Sequence, residues 1–440
     1  LQVTLYNAGK ESKVVKTIRY IKAAVWSVTL AVGSAPLAQA TSYPTLLYGT
    51  TTQLPPTKPF AVATTVPTFE NPRSKYVVVA EENANTDLEV LAWHDTTTSL
   101  VATGHTGTAK KAGVVGVAVT GLDSCRVVTA DVNNVGALSV HTWTVDAAGV
   151  KAEKSYHSAP STSSSNIAIT TLSRAEVVVA YETPAGVVTV EAFTIAPDGK
   201  PSPKAVLGTG PSAFEVSIAT VNPHQVITAA GDATQSLWTN TWEVNATGVH
   251  AQDQVETKNA VSGPGFKSPV VQTVAVGAGQ SVGLVGTPPA LGIVQSAFTP
   301  VITPDSQVQA YYWSISNSGA ITLASTAPPT LAGDFFGVTA SMLPRDIPIT
   351  TYFGGTGDNN VFAEIYTGLN PLLDDPPSYG NPYNAVSISS AAAGTNLSFL
   401  SLFNPYSAYF VSSGQFGAPE GDADGTVYIN VFSYPEAPLL

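Results

Sequence analysis

The chain has 440 residues but a single cysteine, Cys125, a single methionine, and only 11% charged residues. One cysteine excludes an internal disulfide and every multi-cysteine metal cluster, and Cys125, just before an apolar run, reads as a small buried residue. The histidines, His94, His105, His141, His157, His224 and His250, are dispersed, with no H-x-x-x-H or H-E-x-x-H pairing to mark a zinc site. A serine-nucleophile elbow and a phosphate loop are also lacking: the Gly-rich GGTGDNN, Gly354 to Asn360, has neither a Lys nor a helical pattern after it. A formal net charge of −12 argues against nucleic acid and anionic membranes, which need a positive field.

No apolar run is long enough to be a clear membrane span. The run AAVWSVTLAVG is short, and Pro36 interrupts its tail. It follows Lys13, Lys16, Arg19 and Lys22 and precedes Ala38-Gln39-Ala40, the order of a signal peptide with an A-x-A cleavage site. Residues 1–40 are therefore expected to be a signal peptide with an N-terminal extension. Residues 41–440 are expected to be one mature domain, secreted or periplasmic, with no stable membrane insertion after cleavage.

What the sequence does have is apolar residues, at 44%, and abundant Thr, Ser, Val, Ala and Gly, the balance of a turn-rich all-β protein. It also repeats. Trp93, Trp143, Phe193 and Trp242 fall at steps of 50, 50 and 49, and the aromatic slot returns at Trp313, Tyr366 and Phe432. Upstream of these, YVVVAE, RVVTAD, VVVAYE and QVITAAGD place Ala80, Ala130, Ala180 and Ala230 on a fifty-residue step. Further apolar runs precede them (FAVATTV, VVGVAVTGL, NIAITTL, EVSIATV), and turns such as VDAAGV and VNATGV follow the aromatic. Each unit thus reads as four short strands, the first two apolar throughout and the third alternating.

Four strands per repeat of about 40–50 residues is the signature of a β-propeller. The sequence predicts an all-β, seven-bladed β-propeller of four-stranded blades. The last unit stops after its third strand, so an N-terminal strand at Thr45–Thr50 is expected to complete the last blade and close the ring, hiding both sheet edges. An open solenoid is the alternative and would need polar caps. In this scheme the aromatic is a packing residue between blades.

The segment VVTADVNNVGALSVHTWTVDAAGVKAE, with its V-V-T-A strand and L-x-V-x-x-W-x-V-x-x-x-G hairpin, resembles bacterial secreted repeat propellers. The resemblance covers the first four units well, the fifth in part and the last two poorly. It implies fold and secretion, and no activity. A weaker similarity, in the aromatic hairpin alone, is to propeller lactonases, none of whose catalytic residues can be matched here.

Candidate site residues follow from the predicted loops. The loops between second and third strands carry Glu81, Glu82, Asp87, Asp131, Glu182, Asp232, Asp358, Asp422 and Asp424, which predicts one acidic face. Its functional reading is a channel mouth binding a cation or polar ligand through Glu81, Asp131, Glu182, Asp232 and Asp358; its plainer reading is solvated loops. Insertions at 284–305 and 367–384 bring Tyr379 and Tyr383, aromatic surfaces on which a sugar can stack. The motif EGDADG offers Glu420, Asp422 and Asp424 as oxygen ligands for calcium, the one cofactor the residues point to. Val431 stands where an EF-hand has its bidentate Glu, so a polar turn is the default.

The function read from the sequence is a secreted binding or interaction module whose partner is a polysaccharide, a small molecule or a protein, with no nucleic acid. Two alternatives stand beside it. One is an extracellular hydrolase or lyase on a carbohydrate or lactone, using mouth carboxylates as acid and base. The other is a structural surface protein.

Overall fold

The computed structural model describes residues 45–53, 59–66, 75–263 (except 97, 110–112, 161 and 163–165), 274–276 and 295–327 (without 264–273 or 277–294), residue 329, and the strands between 335 and 433. The chain falls into two compact units, Leu1–Ser42 and Tyr43–Leu440, and all described residues lie in the second. Tyr366, Tyr379, Tyr383, Asp358, Glu420, Asp422 and Asp424 lie outside the described residues, as does the expected signal segment.

Among the described residues the strands pair into seven antiparallel sheets. The first contains, in order, Phe60–Thr64, Tyr76–Glu82, Leu88–Asp95 and Leu100–Ala102; the second Val114–Gly121, Arg126–Asn133, Ala137–Asp146 and Gly149–Pro160. The third contains Ile167–Ser173, Glu176–Glu182, Val187–Ile195 and Pro201–Pro203; the fourth Glu215–Asn222, Gln225–Gly231, Leu237–Val244 and Val249–Thr257. The fifth runs from Val274–Val276 through Gln295–Ile302 and Val308–Ile315 to Ile321–Thr326, and the sixth from Phe335–Leu343 through Ile347–Gly354 and Asn360–Ile365 to Val386–Ser389. In the seventh, Leu397–Ser401, Ser407–Ser413 and Thr426–Ser433 are joined by Thr45–Gln53 from the other end of the chain, with Thr45 opposite Ser433 and Gln53 opposite Thr426. The outer strand is less regular than expected: in the first and third sheets it is split, and Gly107–Ala109 and Gly208–Ser212 supply its second piece.

First strands lie side by side from each sheet to the next, and Leu397–Ser401 also lies against Phe60–Thr64. Threonines link them. The Thr171 hydroxyl donates to the Gly121 carbonyl (2.5 Å), and that of Thr220 to the Thr171 carbonyl (2.8 Å). Gly121 itself has no room for a side chain, because a Cβ there would stand 2.2 Å from the Thr64 carbonyl oxygen.

The faces between sheets are apolar. Val78, Ala80, Val90 and Ala92 of the first sheet pack with Val127, Trp143 and Val145 of the second. Val128, Ala130 and Val140 then meet Val177, Val179 and Phe193 of the third. In the second to fifth sheets the third-strand aromatic, Trp143, Phe193, Trp242 or Trp313, packs against the preceding sheet and is fully buried. The indole N–H has a fixed partner: Trp143 Nε1 donates to Thr129 Oγ1 (2.9 Å), Trp242 to Thr228 (2.9 Å) and Trp313 to Thr299 (3.1 Å). In the third sheet, where Phe193 has no N–H to satisfy, the matching residue is Val179. In the second, fourth and fifth sheets the buried donor is answered, and in the third, where the donor is absent, so is the acceptor; in the first, Val79 stands at this position beside Trp93.

This pairing corrects one sequence reading. Trp242 stands opposite Val226, as Trp143 stands opposite Val127, so the partner of Ala130 in the fourth sheet is Ala229 and not Ala230. The indole and its threonine set the register there, one residue out of the fifty-residue step.

Candidate functional site

In the first five sheets the turns between second and third strands share one construction. An Asn, Asp or Thr side chain at their start accepts backbone N–H groups: Asn83 from Asn85 and Asp87, Asn133 from Val135 and Ala137, Thr183 from Val187, Asp232 from Thr234 and Ser236, and Thr303 from Gln307. Three residues on, the backbone is left-handed at Thr86 (φ 64°), Gly136 (78°), Gly186 (76°), Gln235 (65°) and Ser306 (56°). The carbonyl of each accepts an N–H from the chain leading to the next sheet: Gly113, Thr162, Ala213, Ala260 and Phe335, at 2.9–3.1 Å. These turns are a rigid platform on which side chains at the adjoining strand ends are held.

Of the five acidic residues expected to form a mouth here, Asp358 lies outside the described residues and the other four occupy three different positions. Glu81 and Asp131 are equivalent, four residues past the partner of the core Trp, and the same position holds Tyr181, Ala230 and Val301 in the next three sheets. Glu182 lies one residue further along its strand, on the opposite face, and is partly exposed. Asp232 is a turn cap, equivalent to Asn133 rather than to Asp131. Among the described residues the strand register therefore makes no ring of equivalent carboxylates.

Glu81 is buried, with 3% exposure and no hydrogen-bond partner for Oε2. Burial, then the Glu89 carboxylate directly across the strand, pushes its pKa up to about 8. Asp131 is equally buried but has a partner, His141 Nε2 at 3.0 Å. Opposite Asp131, Ser139 Oγ lies 2.9 Å from His157 Nδ1, and His157 Nε2 lies 3.1 Å from Ser155 Oγ. The two imidazoles meet edge to face at 5.4 Å. In the third sheet the corresponding pair is Tyr181, whose hydroxyl donates to Glu191 Oε2 at 3.4 Å. Burial raises the Glu191 carboxyl to about 7, against the lowering effect of that bond.

The fourth sheet is built differently. Ala230 stands where Glu81 and Asp131 stand, and opposite it is Trp238, packed against the core of the third and fourth sheets yet partly exposed. Its indole N–H donates to Asp232 Oδ2 at 2.7 Å. Burial disfavours the Asp232 carboxylate, but hydrogen bonds from Trp238, Thr234 and Ser236 outweigh it and hold the pKa below the usual range. Glu256, across the strand from Trp238, is exposed and accepts the Ser236 hydroxyl at 2.9 Å.

Sequence reasoning missed Glu89, Glu191, His157 and Trp238 as members of this end. Glu191 was detectable, because it shares a strand face with Phe193 two residues later and so stands among buried apolar positions. Among the described residues, no group of three or more His, Cys, Asp or Glu is placed to hold a metal ion. No helix among the described residues is long and apolar enough to cross a membrane.

No protein-family model and no curated protein matches the chain. Solved structures do. A lectin from Burkholderia pseudomallei, BP39L, superposes with a TM-score of 0.54 at 13% identity, over 86% of this chain and 98% of the lectin. A putative 6-phosphogluconolactonase from Bacteroides uniformis gives 0.47 at 10% identity, over 75% and 85%. The six-bladed β-propeller lectin of Aleuria aurantia gives 0.41 at 9% identity, over 76% and 97%. The likeness is one of fold: an all-β protein of four-stranded antiparallel sheets, of the β-propeller type.

Proposed function

We propose that this chain is a secreted β-propeller that binds carbohydrate, its seven sheets forming the blades of a closed ring. Closure is supported by the pairing of Thr45–Gln53 with Thr426–Ser433 and by the first strands lying side by side from the first sheet to the seventh and back. Secretion is supported by the basic, apolar and Ala-x-Ala order of residues 1–40.

The observation that carries the binding role is the change of chemistry along the faces between sheets. Over most of their length these faces are Val, Ala and aromatic residues. At the ends beside the second-to-third turns they become Glu81 and Glu89, Asp131, Ser139 and His141, Tyr181 and Glu191, and Trp238 with Asp232. Polar groups set on a rigid turn frame are what recognition of a hydroxylated ligand requires. The lectin likeness agrees in fold.

The test is a thermal melt of the full chain with neutral oligosaccharides, with Ca²⁺ and with EDTA. An upward shift with one sugar supports the reading, because a ligand that binds only the folded state raises its apparent stability. No shift with any sugar, together with a shift on Ca²⁺ lost in EDTA, would replace it with a metal-dependent role through Glu420, Asp422 and Asp424.

A second reading, a hydrolase or lyase on a carbohydrate or lactone, rests on Glu81 and Glu191, whose pKa values near 8 and 7 suit proton transfer at neutral pH. It requires turnover of an oligosaccharide or lactone that is lost in Glu81→Gln or Glu191→Gln.

A further inference from the structure

Four of the described tryptophans, Trp93, Trp143, Trp242 and Trp313, are buried in the faces between sheets; Trp238 is partly exposed. It is also held differently. The buried indoles of the second, fourth and fifth sheets donate to a threonine hydroxyl, whereas Trp238 donates to the ionised Asp232. Asp232 is fixed in turn by three donors on Oδ1, the Thr234 and Ser236 backbone N–H groups and the Thr234 hydroxyl, at 2.7–2.9 Å. The ring therefore has one orientation, set before any ligand arrives.

Among the first five sheets the position is particular to the fourth; four residues before the slots at Tyr366 and Phe432 the sixth and seventh sheets carry Phe362 and Tyr428. In the first, second, third and fifth sheets its equivalents are Glu89, Ser139, Thr189 and Gln309, all polar. A large flat apolar surface has been placed where those four sheets put a hydrogen-bonding side chain, and Ala230 across the strand leaves it room.

Around the ring stand acceptors. Asp232 Oδ2 receives one hydrogen bond, from the indole, and has lone-pair capacity left. Glu256 lies directly across the strand from Trp238 and is exposed. A partly buried aromatic face flanked by two carboxylates fits a ligand with an apolar face and hydroxyl donors at its rim. A pyranose ring is such a ligand: its axial C–H groups stack on an indole, and its equatorial hydroxyls donate to carboxylates. An anionic sugar is disfavoured, since it would bring its own carboxylate to two others in a chain of net charge −12.

Resting on the binding role proposed above, we infer that Trp238, Asp232 and Glu256 form a subsite for a neutral pyranoside at the turn end of the fourth sheet.

The test is titration of the full chain with cellohexaose, xylohexaose, laminarihexaose, mannohexaose and chitohexaose, and with hexagalacturonate as the anionic probe, followed by calorimetry and tryptophan fluorescence. The expected result is binding of at least one neutral sugar, an emission change, and little or no binding of hexagalacturonate. Trp238→Ala is expected to weaken binding about tenfold or more, as loss of an aromatic anchor does. Trp238→Phe, which keeps a ring but loses the indole donor, and Glu256→Gln are expected to weaken it severalfold, with melting temperatures near that of the parent. Should Trp238→Ala unfold the chain, Glu256→Gln, an exposed change, decides alone. Binding undiminished in Trp238→Ala or Glu256→Gln overturns this subsite while leaving carbohydrate binding intact. Absence of binding by every sugar overturns both. Preference for hexagalacturonate overturns the neutral specificity.

Discussion

The second and fourth sheets share their framework nearly residue for residue and part company at one end. In both, a buried indole is held by a threonine one strand inward. The residue before it, Thr142 or Thr241, donates to the carbonyl of a turn glycine in the next sheet, Gly199 or Gly319. An Asn or Asp caps the second-to-third turn, and Asp146 or Asn245 caps the third-to-fourth. Yet where the second sheet has Asp131, Ser139 and His157, the fourth has Ala230, Trp238 and Glu256. The contacts that repeat hold the framework; the positions that vary lie beside turns built alike in the first five sheets. Trp238 still packs on the core of the third and fourth sheets, but the framework does not require an indole there, since the second sheet is built the same way with Ser139, and this supports the proposed recognition role.

The largest effect that would break this equivalence is loss of a core indole. Trp143→Ala and Trp242→Ala are each expected to cost about 3–5 kcal/mol, as removal of a fully buried aromatic does. Urea denaturation should give nearly equal losses for the two, and a clear inequality would show that the sheets are not equivalent supports. Within the second sheet, Trp143→Phe alone strands the Thr129 hydroxyl and should cost about 1–3 kcal/mol. Adding Thr129→Val, which copies the Phe193 and Val179 pair of the third sheet, should recover part of that loss.

The next effect separates Glu81 from Asp131, which share a position but not an environment. Glu81 has a folded pKa of about 8, well above that of an unfolded glutamate at about 4.3. The folded state thus holds a proton that the unfolded state gives up, so stability is greatest below about pH 4.3 and falls as pH rises toward 8. The fall is expected to be on the order of a few kcal/mol, reduced by whatever water reaches the carboxyl. Glu81→Gln, which is neutral throughout, should flatten the decline, and chemical denaturation at pH 5, 7 and 9 measures it. Glu191→Gln should flatten a shorter window that ends near 7. A profile unchanged by Glu81→Gln would mean that the carboxyl is not held neutral.

The same two residues show how far the sequence could be read. The blade framework was legible because it is periodic: aromatics at Trp93, Trp143, Phe193 and Trp242 repeat at a nearly fixed step, since the gap between sheets needs the same wedge each time. The site was legible only in its neighbourhood. Glu81, Asp131, Glu182 and Asp232 each follow the repeated alanine by one or two residues, but measured from the structurally equivalent Ala80, Ala130, Ala180 and Ala229 they stand one, one, two and three residues on, and one residue reverses the strand face while three enter the turn. That reading joined three kinds of position, which only the pairing register distinguishes. Trp238 was hidden for a related reason. It lies four residues before Trp242 on the same strand face, so alternation alone assigns it to the core; its distance from the packed centre of the sheet comes from tertiary structure.

The smallest effect would sharpen the comparison most. Asp232 and Asn133 are equivalent caps, each accepting two turn N–H groups, but Asp232 also accepts the Trp238 indole. If capping were its whole purpose, Asp232→Asn would cost no more than about 0.5–1 kcal/mol, because asparagine caps this turn well in the first and second sheets. The amide oxygen can keep the turn N–H groups, which leaves the amide nitrogen, a donor, facing the indole N–H. The cap should therefore survive while the indole loses its acceptor and its fixed orientation. The expected outcome is a small loss of stability by denaturation together with a shift in tryptophan emission. The reciprocal change Asn133→Asp, with no indole beside it, should leave emission where it was. Equal emission in Asp232→Asn and in the parent would show that the carboxylate does not orient the ring, and would reduce Asp232 to the role its equivalents play.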